Sequence, residues 1–159
     1  MTLPASPQMA KIEFERLAHF RYQLRRFLRL DEELARDCGI TPLQYLLLLQ
    51  IKGFPGREWA TVGELAERLQ AQPHGVVSLV SRCEAAGLVK RQRSSDDKRR
   101  VEVSLTPKGA QCLEQLALLH RPGLSVLQTV LSDAAMEAIP ANKRHDAFIA
   151  GIPPAGPVG

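Results

Sequence analysis

Cysteines are few in this sequence, and they lie far apart. Cys38, Cys83 and Cys112 are the only three in 159 residues, and none belongs to a CxxC pair or a Cys/His cluster. An odd number of scattered cysteines provides neither a disulfide framework nor the ligand spacing of a zinc site. We therefore expect no structural metal and a reducing compartment.

Long apolar runs are also missing. No stretch approaches the roughly 18 consecutive apolar residues of a membrane span, and no charged start is followed by an apolar signal core. These absences predict a cytoplasmic protein. The chain has no internal repeat, nucleophile–base pair, Gly-rich phosphate loop or carboxylate constellation, so we expect no enzymatic activity. Metal-ligand spacing is likewise absent around His19, His120 and His145.

Positive charge is concentrated in one part of the chain. The net charge is only +4, with a pI near 9.2, and 45% of the residues are apolar, which is enough for a core. Between Arg68 and Arg100, eight lysines and arginines outnumber three acidic residues, a local charge of +5. The remainder of the chain therefore sums to about −1. A localised basic patch is typical of proteins that bind a phosphate backbone.

The chain begins with a flexible segment, residues 1–9, followed by a predicted helix within residues 10–40. Apolar residues at three- and four-residue steps indicate one apolar stripe on this helix: Leu17, Phe20, Leu24, Phe27, Leu28 and Leu34. Five arginines lie mainly off the stripe, as expected of a solvated face: Arg16, Arg21, Arg25, Arg26 and Arg29. Gly39 is suited to a left-handed cap at the helix end.

A second helix is predicted to start at Thr41. Thr41 and Gln44 fit a capping box, and Pro42 takes the first helical position. Leu46 to Leu49 and Ile51 are apolar around the whole circumference. We therefore expect this helix to be central and buried.

The stretch from residue 59 to 87 predicts a helix-turn-helix. Trp59–Ala60 suits a short strand, and Thr61 opens a second capping box and a helix over about 62–69. Pro73 then starts another helix, which Gly87 stops. Its first turn is expected in the major groove of DNA, near base edges. Candidate DNA contacts on this recognition helix are Gln72, Pro73, His74, Gly75, Ser78, Ser81 and Arg82.

A β-hairpin is predicted to follow the recognition helix. Leu88 to Arg93 suits a strand, Ser94 to Lys98 a polar tip, and an alternating strand follows Arg99. On one face of that second strand we place Val101, Val103 and Leu105, and on the other Arg100, Glu102 and Ser104. The whole order predicts a mainly α fold with a small β-hairpin, a winged helix-turn-helix.

The tip of this hairpin, the wing, is the second candidate DNA contact. An arginine in a narrow minor groove gains from the enhanced negative potential there. We expect the Asp97 carboxylate to orient the guanidinium of Arg99 through bidentate hydrogen bonds. The candidate residues of the wing are Arg93, Asp97, Lys98, Arg99 and Arg100.

The C-terminal part is predicted to be helical and interrupted. Thr106–Pro107 caps a helix whose apolar stripe is Leu113, Leu116 and Leu119. Pro122–Gly123 should break or kink it. Shorter helices are expected over about 124–130, 133–139 and 142–150, with Pro140 ending the second, and residues 151–159 form a loose tail. These patterns divide the chain into an N-terminal helix (10–40), a DNA-binding lobe (41–109) and C-terminal helices (110–150).

The segment GLVKRQRSSDDKRRVEVSLTPKG resembles the MarR family of bacterial regulators. An Asp-x-Arg at the wing precedes an alternating strand that ends in Leu-Thr-x-x-Gly; the matching residues are Asp97, Arg99, Leu105, Thr106 and Gly109. The end of the recognition helix also fits at Glu84, Gly87, Leu88 and Val89, with Cys83 where the family usually has Leu. The resemblance covers roughly Phe20 to Leu119.

The resemblance implies a homodimer that binds palindromic double-stranded DNA. Within the family, N- and C-terminal helices form a dimerisation lobe, and most members are repressors. A small phenolic or aromatic effector, or cysteine oxidation, relieves repression, and the ligand pocket lies between the two lobes. No other cofactor is implied. Two departures stand out: prolines at 122 and 140 leave the dimer contacts open, and Gln72 to Gly75 lacks the usual Ser/Thr cluster, so base preference does not transfer.

The sequence is also compatible with two alternatives. A winged helix can serve as a protein–protein module without binding DNA, although such a module has no need of a basic wing tip. A cysteine-based redox regulator would use Cys38, which follows the first helix, but the hydroperoxide-sensing branch of the family has its reactive cysteine near the start of the chain.

Overall fold

The computed structural model describes residues 9–136. Within that range the chain forms five helices and three strands: α1 (Lys11–Asp37), α2 (Pro42–Lys52), β1 (Trp59–Ala60), α3 (Val62–Arg68), α4 (Pro73–Ala85), β2 (Val89–Arg93), β3 (Val101–Leu105) and α5 (Pro107–Met136). The predictions for residues 1–8 and 137–159 lie outside the described residues; they concern the flexible start, Pro140, the helix over 142–150, His145 and the loose tail. The mainly helical fold with a small sheet is confirmed.

Both predicted capping boxes are present. At α2, Thr41 Oγ1 accepts a hydrogen bond from Gln44 N at 3.2 Å, and Gln44 Oε1 accepts one from Thr41 N at 2.9 Å. At α3, Thr61 and Glu64 make the same reciprocal pair, at 3.4 and 2.8 Å. Each box satisfies amide groups that have no partner inside the helix, so the two starts are set locally.

Two glycines end helices as predicted. Gly39 after α1 and Gly87 after α4 have φ angles of +78° and +72°. Side chains disfavour this left-handed region, and a glycine adopts it without steric cost. The turn at Gly87 sends the chain from α4 directly into β2.

The three strands form one antiparallel sheet in the order β1-β3-β2. Trp59 of β1 pairs with Ser104 of β3, and Arg91 of β2 pairs with Val103. Because paired residues in a sheet point to the same side, Arg91 and Val103 share one face while Trp59 and Ser104 share the other. This agrees with the predicted alternation along β3, in which Val103 is fully buried.

Helix α2 is less buried than predicted. Tyr45, Leu47, Leu48 and Ile51 belong to the core. In contrast, Leu46 and Leu49 retain 38% and 37% exposure, so the helix is not covered on all sides. A helix next to a small sheet and two short helices has neighbours on only part of its circumference, and apolar composition alone does not show which part.

The predicted apolar stripe of α5 is wrong by one residue at its end. Leu113 and Leu116 are buried, but Leu119 is half exposed and the next residue, His120, is only 5% exposed. With about 100° per residue, position 120 lies about 20° from Leu113 around the helix, whereas position 119 lies about 120° away. Helical geometry thus favours the histidine over the leucine.

His120 brings a polar group into the core. Its Nδ1 lies 3.1 Å from Asp31 Oδ1, and its ring meets that of Tyr45 edge to face, with centroids 4.7 Å apart. The distance is that of an ion pair, yet neither atom has a hydrogen-bond partner in the described structure. Burial raises the pKa of the Asp31 carboxyl, although His120 opposes the rise, and burial also raises the pKa of Tyr45.

Pro122 does not break α5, contrary to the prediction. The helix is continuous from Pro107 to Met136, so the separate pieces expected over 124–130 and from residue 133 are parts of one helix. A proline removes one backbone hydrogen bond and does not prevent a long helix from continuing when packing supports the adjacent turns. Gly123 provides such packing, because a Cβ there would lie 3.3 Å from the ring of Phe27.

The described residues belong to two compact units. One is Arg26–Leu124; the other includes the helical segments 11–25 and 125–136. In the part of the chain that the structure covers, no helix has the length and apolar character needed to cross a membrane. Residues 9–136 also contain no group of three or more His, Cys, Asp or Glu side chains placed to hold a metal ion.

Candidate nucleic-acid interface

The start of α4 presents an open surface. All seven candidate residues of the recognition helix are exposed. Gln72 is the N-cap residue, and its side chain makes no capping hydrogen bond, so it is available to a partner. The unpaired amide groups at a helix N-terminus attract hydrogen-bond acceptors and negative charge. This end of α4 therefore suits base edges or phosphates.

Three small residues shape that surface. A Cβ built on Gly75 would meet nothing within 4 Å, so the helix backbone is open to close approach there. Ser78 Oγ donates to His74 O at 3.3 Å, and Ser81 Oγ donates to Val77 O at 3.0 Å. The Ser81 oxygen also accepts a hydrogen bond inside the protein, so Ser81 is less available for DNA than Ser78.

Arg91 provides that internal bond, and it was not among the predicted site residues. Its guanidinium donates to Ser81 Oγ at 2.8 Å, to Val77 O at 3.2 Å and to Glu84 Oε2 at 2.8 Å. Its backbone N–H also donates to the Glu84 carboxylate, at 3.1 Å. Arg91 thus ties β2 to α4 and holds the hairpin against the recognition helix. The signal for this role was available, since alternation places Arg91 on the inward face with Val89.

The wing tip is organised by Asp97, but not as predicted. Asp97 Oδ1 accepts a hydrogen bond from the backbone N–H of Arg99, at 2.9 Å, rather than from its guanidinium. Asp97 O also accepts from Arg100 N, at 2.9 Å. With only one residue between them, the carboxylate reaches the nearer amide and closes a tight turn. The turn leaves the guanidinium of Arg99 exposed and, among residues 9–136, without a hydrogen bond or ion pair.

Arg100 has a different environment from its two neighbours. Its guanidinium donates to Ser94 Oγ at 2.7 Å and to Glu102 Oε1 at 3.1 Å, and it lies over the Trp59 ring at 4.9 Å. Ser94, predicted as part of a polar tip, is only 4% exposed and is bonded to Arg100 through both its hydroxyl and its backbone amide. Arg100 therefore stabilises the base of the wing, while Arg93, Lys98 and Arg99 stay exposed.

The Leu-Thr-x-x-Gly segment joins the wing to α5. Thr106 Oγ1 donates to Gly87 O at 2.6 Å and accepts from Gly109 N at 3.0 Å. A Cβ on Gly109 would overlap the backbone carbonyl of Leu88, so the two chain segments pack at the limit of contact. These contacts place the end of α4, the hairpin and the start of α5 in one rigid arrangement.

The three cysteines differ in accessibility. Cys38, the predicted redox candidate, is exposed, and its reactivity stays a prediction. Cys83 is buried, and burial, only partly offset by Arg82 and Gln44, raises its pKa to about 11. Burial and the neighbouring Cys38 raise the pKa of Cys112. Since the thiolate is the reactive form, the burial and raised pKa of Cys83 disfavour its reaction at neutral pH.

Residues 39–100 match the model of the MarR family. Over 71 residues the chain is 32% identical to the HTH-type transcriptional repressor MdtR of Bacillus subtilis (strain 168), a match that covers 45% of this chain and 44% of MdtR. The chain therefore aligns with less than half the length of that relative.

Several solved structures are similar to this fold. AbsC, a MarR family transcriptional regulator from Streptomyces coelicolor, superimposes with a TM-score of 0.64 at 17% identity, covering 94% of this chain and 95% of AbsC. A MarR family protein from Bacillus stearothermophilus gives a TM-score of 0.63 at 22% identity, covering 91% and 93%. At such identities the likeness concerns the fold alone.

Proposed function

We propose that this chain, whose residues 39–100 match the MarR family model, is a MarR family transcriptional regulator that binds palindromic operator DNA as a homodimer. Each subunit inserts the start of α4 into a major groove and sets its wing tip against the flanking backbone or minor groove. Half-sites then lie about one helical turn, ~34 Å, apart. Repression is the expected mode of regulation.

One observation carries the proposal: the arginines of the hairpin divide into two groups. Arg91 and Arg100 are used inside the protein, in hydrogen bonds to α4 and to the base of the wing. Arg93 and Arg99 are exposed, and in the described part of the chain neither has an ion-pair partner. A protein that holds its wing rigidly and leaves cations free at the tip is built for an anionic partner.

The dimer and the effector are further parts of the proposal. Large apolar side chains are exposed along α1 and α5, as a dimerisation surface requires; examples are Phe14, Leu17, Leu28, Leu118 and Leu124. A small phenolic or aromatic effector would release the DNA. Redox regulation through Cys38 remains the alternative means of control.

DNA binding is tested by gel shift with fragments from the region upstream of its own gene, across a range of salt concentrations. We expect Lys98→Ala and Arg99→Ala each to lower the affinity and to reduce the slope of log K against log [salt] by about one. Arg36→Ala is the matched control. It removes the same charge from an exposed site on α1, where Arg36 forms an ion pair with Glu32 at 3.4 Å.

The competing function is a protein-binding module that has lost DNA binding. It would be supported if the wild-type protein bound no duplex, or bound it without salt dependence. Unchanged affinity in both wing variants would instead overturn the role of the wing alone.

A further inference from the structure

Arginines and aromatic rings form a continuous stack beside the wing. The guanidinium of Arg57 lies 3.8 Å from the centroid of the Trp59 ring and 4.2 Å from that of Phe54. Arg68, in the last turn of α3, lies 4.5 Å from the Phe54 ring. Arg100, at the base of the wing, lies 4.9 Å from the Trp59 ring. The stack therefore runs from α3 through the α2–β1 loop to the wing.

Hydrogen bonds orient the cations of the stack. Arg57 Nε donates to Trp59 O at 3.1 Å, and the Arg57 guanidinium also bonds the Glu64 carboxylate. The Arg100 guanidinium is held by Glu102 and by a buried hydroxyl, as described above. A planar guanidinium with fixed hydrogen bonds loses little further freedom when it stacks on a ring. The contacts at Trp59 are therefore specific in geometry.

The position of Trp59 connects this stack to the DNA-binding cations. Trp59 lies in β1 and pairs with Ser104 of β3, on the face opposite Arg91. Its ring contacts Arg100, the residue that directly follows Arg99. The hairpin is thus held on both faces, by Arg91 against α4 and by the Trp59 ring against the α2–β1 loop. A two-stranded hairpin is only marginally stable by itself. These two contacts therefore add to the support that the hairpin receives from the pairing of β1 with β3 and from the buried Val89 and Val103.

We propose that Trp59 is a positioning residue for DNA binding, which fixes the wing through Arg57 and Arg100 so that Arg99 meets the DNA. This inference rests on the proposed function. Trp59 sets the angle of the hairpin relative to the start of α4 and does not itself contact the DNA. The first measurement of the test therefore requires no DNA.

The state of the wing is measured by amide hydrogen exchange on the full-length protein. The amides of Ser94 and Arg100 are informative, since they donate to Arg100 O at 3.0 Å and to Asp97 O at 2.9 Å. We expect Trp59→Leu to raise their exchange rates roughly tenfold while amides of α2 keep theirs. Trp59→Phe retains a ring for the two cations and should restore most of the protection. Equal protection of the wing in wild type and Trp59→Leu would overturn the inference, whatever the protein does with DNA.

A second pair of variants separates stacking from charge. Arg100→Lys keeps the positive charge but loses the planar group, so we expect faster exchange at Ser94, as with Trp59→Leu. Trp59 is the only tryptophan in the chain, so its fluorescence reports directly on the stack. We expect the emission of Trp59 to change in Arg100→Lys and to stay the same in Arg36→Lys. An unchanged emission in Arg100→Lys would contradict the stack.

The consequence for DNA is measured on the same fragments as before. Loss of both contacts in Trp59→Leu should weaken binding about tenfold and reduce the salt dependence, with Trp59→Phe within about twofold of wild type. A loosened wing with unchanged DNA affinity would overturn the positioning role. Failure of the wild-type protein to bind any duplex would overturn the proposed function instead, and hydrogen exchange would still decide whether Trp59 holds the wing.

Discussion

Gly109, in the first turn of α5, has no room for a side chain because the backbone of Leu88 packs directly against it. The Leu88 carbonyl occupies the space that a side chain would need, and that backbone cannot move without displacing β2. We expect Gly109→Ala to destabilise the protein by about 1–3 kcal/mol, the usual cost of overpacking. Urea unfolding followed by circular dichroism measures it. An unchanged midpoint would show that the two segments can separate.

Gly75, in the first turn of α4, is the opposite of Gly109, because it has space for a side chain. An added Cβ meets no protein atom, and alanine is the better helix former by up to about 1 kcal/mol. We therefore expect Gly75→Ala to be at least as stable as wild type but to bind operator DNA about tenfold more weakly, since a methyl group would separate the helix from the base edges. Full DNA affinity in this variant would rule out close approach at Gly75.

The basic run between residues 90 and 100 explains why the site was only partly predictable. Its charge and its place after the recognition helix were sufficient to identify the wing. The sequence did not show which arginines bond within the protein and which stay exposed, because Arg91 and Arg100 find partners in α4 and β1. Alternation along β2 does place Arg91 on the inward face. No local pattern indicates that Trp59 receives two guanidinium groups.

Helix α3 depends on a charged cap. Partial burial by itself would raise the pKa of Glu64, but hydrogen bonds from the Thr61 backbone, from Arg57 and from the Thr61 hydroxyl outweigh it and lower the pKa. Glu64 therefore holds its proton less tightly in the folded chain than in the unfolded chain, where its pKa is near 4.5. The resulting stability is present above the unfolded pKa and is lost as the pH falls through the lower, folded pKa.

Glu64→Gln tests this dependence, because glutamine preserves the capping box, as Gln44 does in α2. We expect the variant to unfold at lower urea concentration than wild type at pH 7 and the difference to shrink as the pH falls below 4.5. Glu67→Gln removes the same charge from an exposed position of α3 that has no ion pair in the described structure. If the urea midpoints of wild type and Glu64→Gln differed by the same amount from pH 7 to pH 3, the ionised Glu64 carboxylate would not be the source of this stability.

The elements differ in how far their own residues determine them. Capping boxes and end glycines are local signals, so the starts of α2 and α3 and the ends of α1 and α4 were predicted within a residue or two. Helix α5 was not, since Pro122 is a local signal for a break and the contact between Gly123 and Phe27 is tertiary. The burial of His120 beside Asp31 likewise depends on neighbours that are distant in the chain.

At the scale of the whole molecule, the two long helices leave much apolar surface uncovered in a single chain. Exposed large apolar residues lie on α1 at Ile12, Phe14, Leu17, Leu28 and Leu30, and on α5 at Leu118, Leu119, Leu124, Val126 and Leu131. Soluble monomers rarely expose so many such residues along continuous helices. These residues do not belong to the buried core of the single chain. Their burial against a second copy of the chain best accounts for so many apolar residues on the surface of two helices.

Light scattering after size exclusion should therefore give twice the 17.6 kDa mass of the chain. We expect Leu17→Asp to shift the protein towards monomer, because a dimer interface would have to bury an unpaired carboxylate. Val77→Asp is the control, since Val77 and Leu17 are both 46% exposed and Val77 belongs to the recognition helix. A wild-type monomer at all concentrations would contradict the dimer, as would equal dimerisation of both variants. Because a monomer engages one half-site, Leu17→Asp should also lose the gain in apparent affinity that a palindrome gives to a linked pair of binding sites.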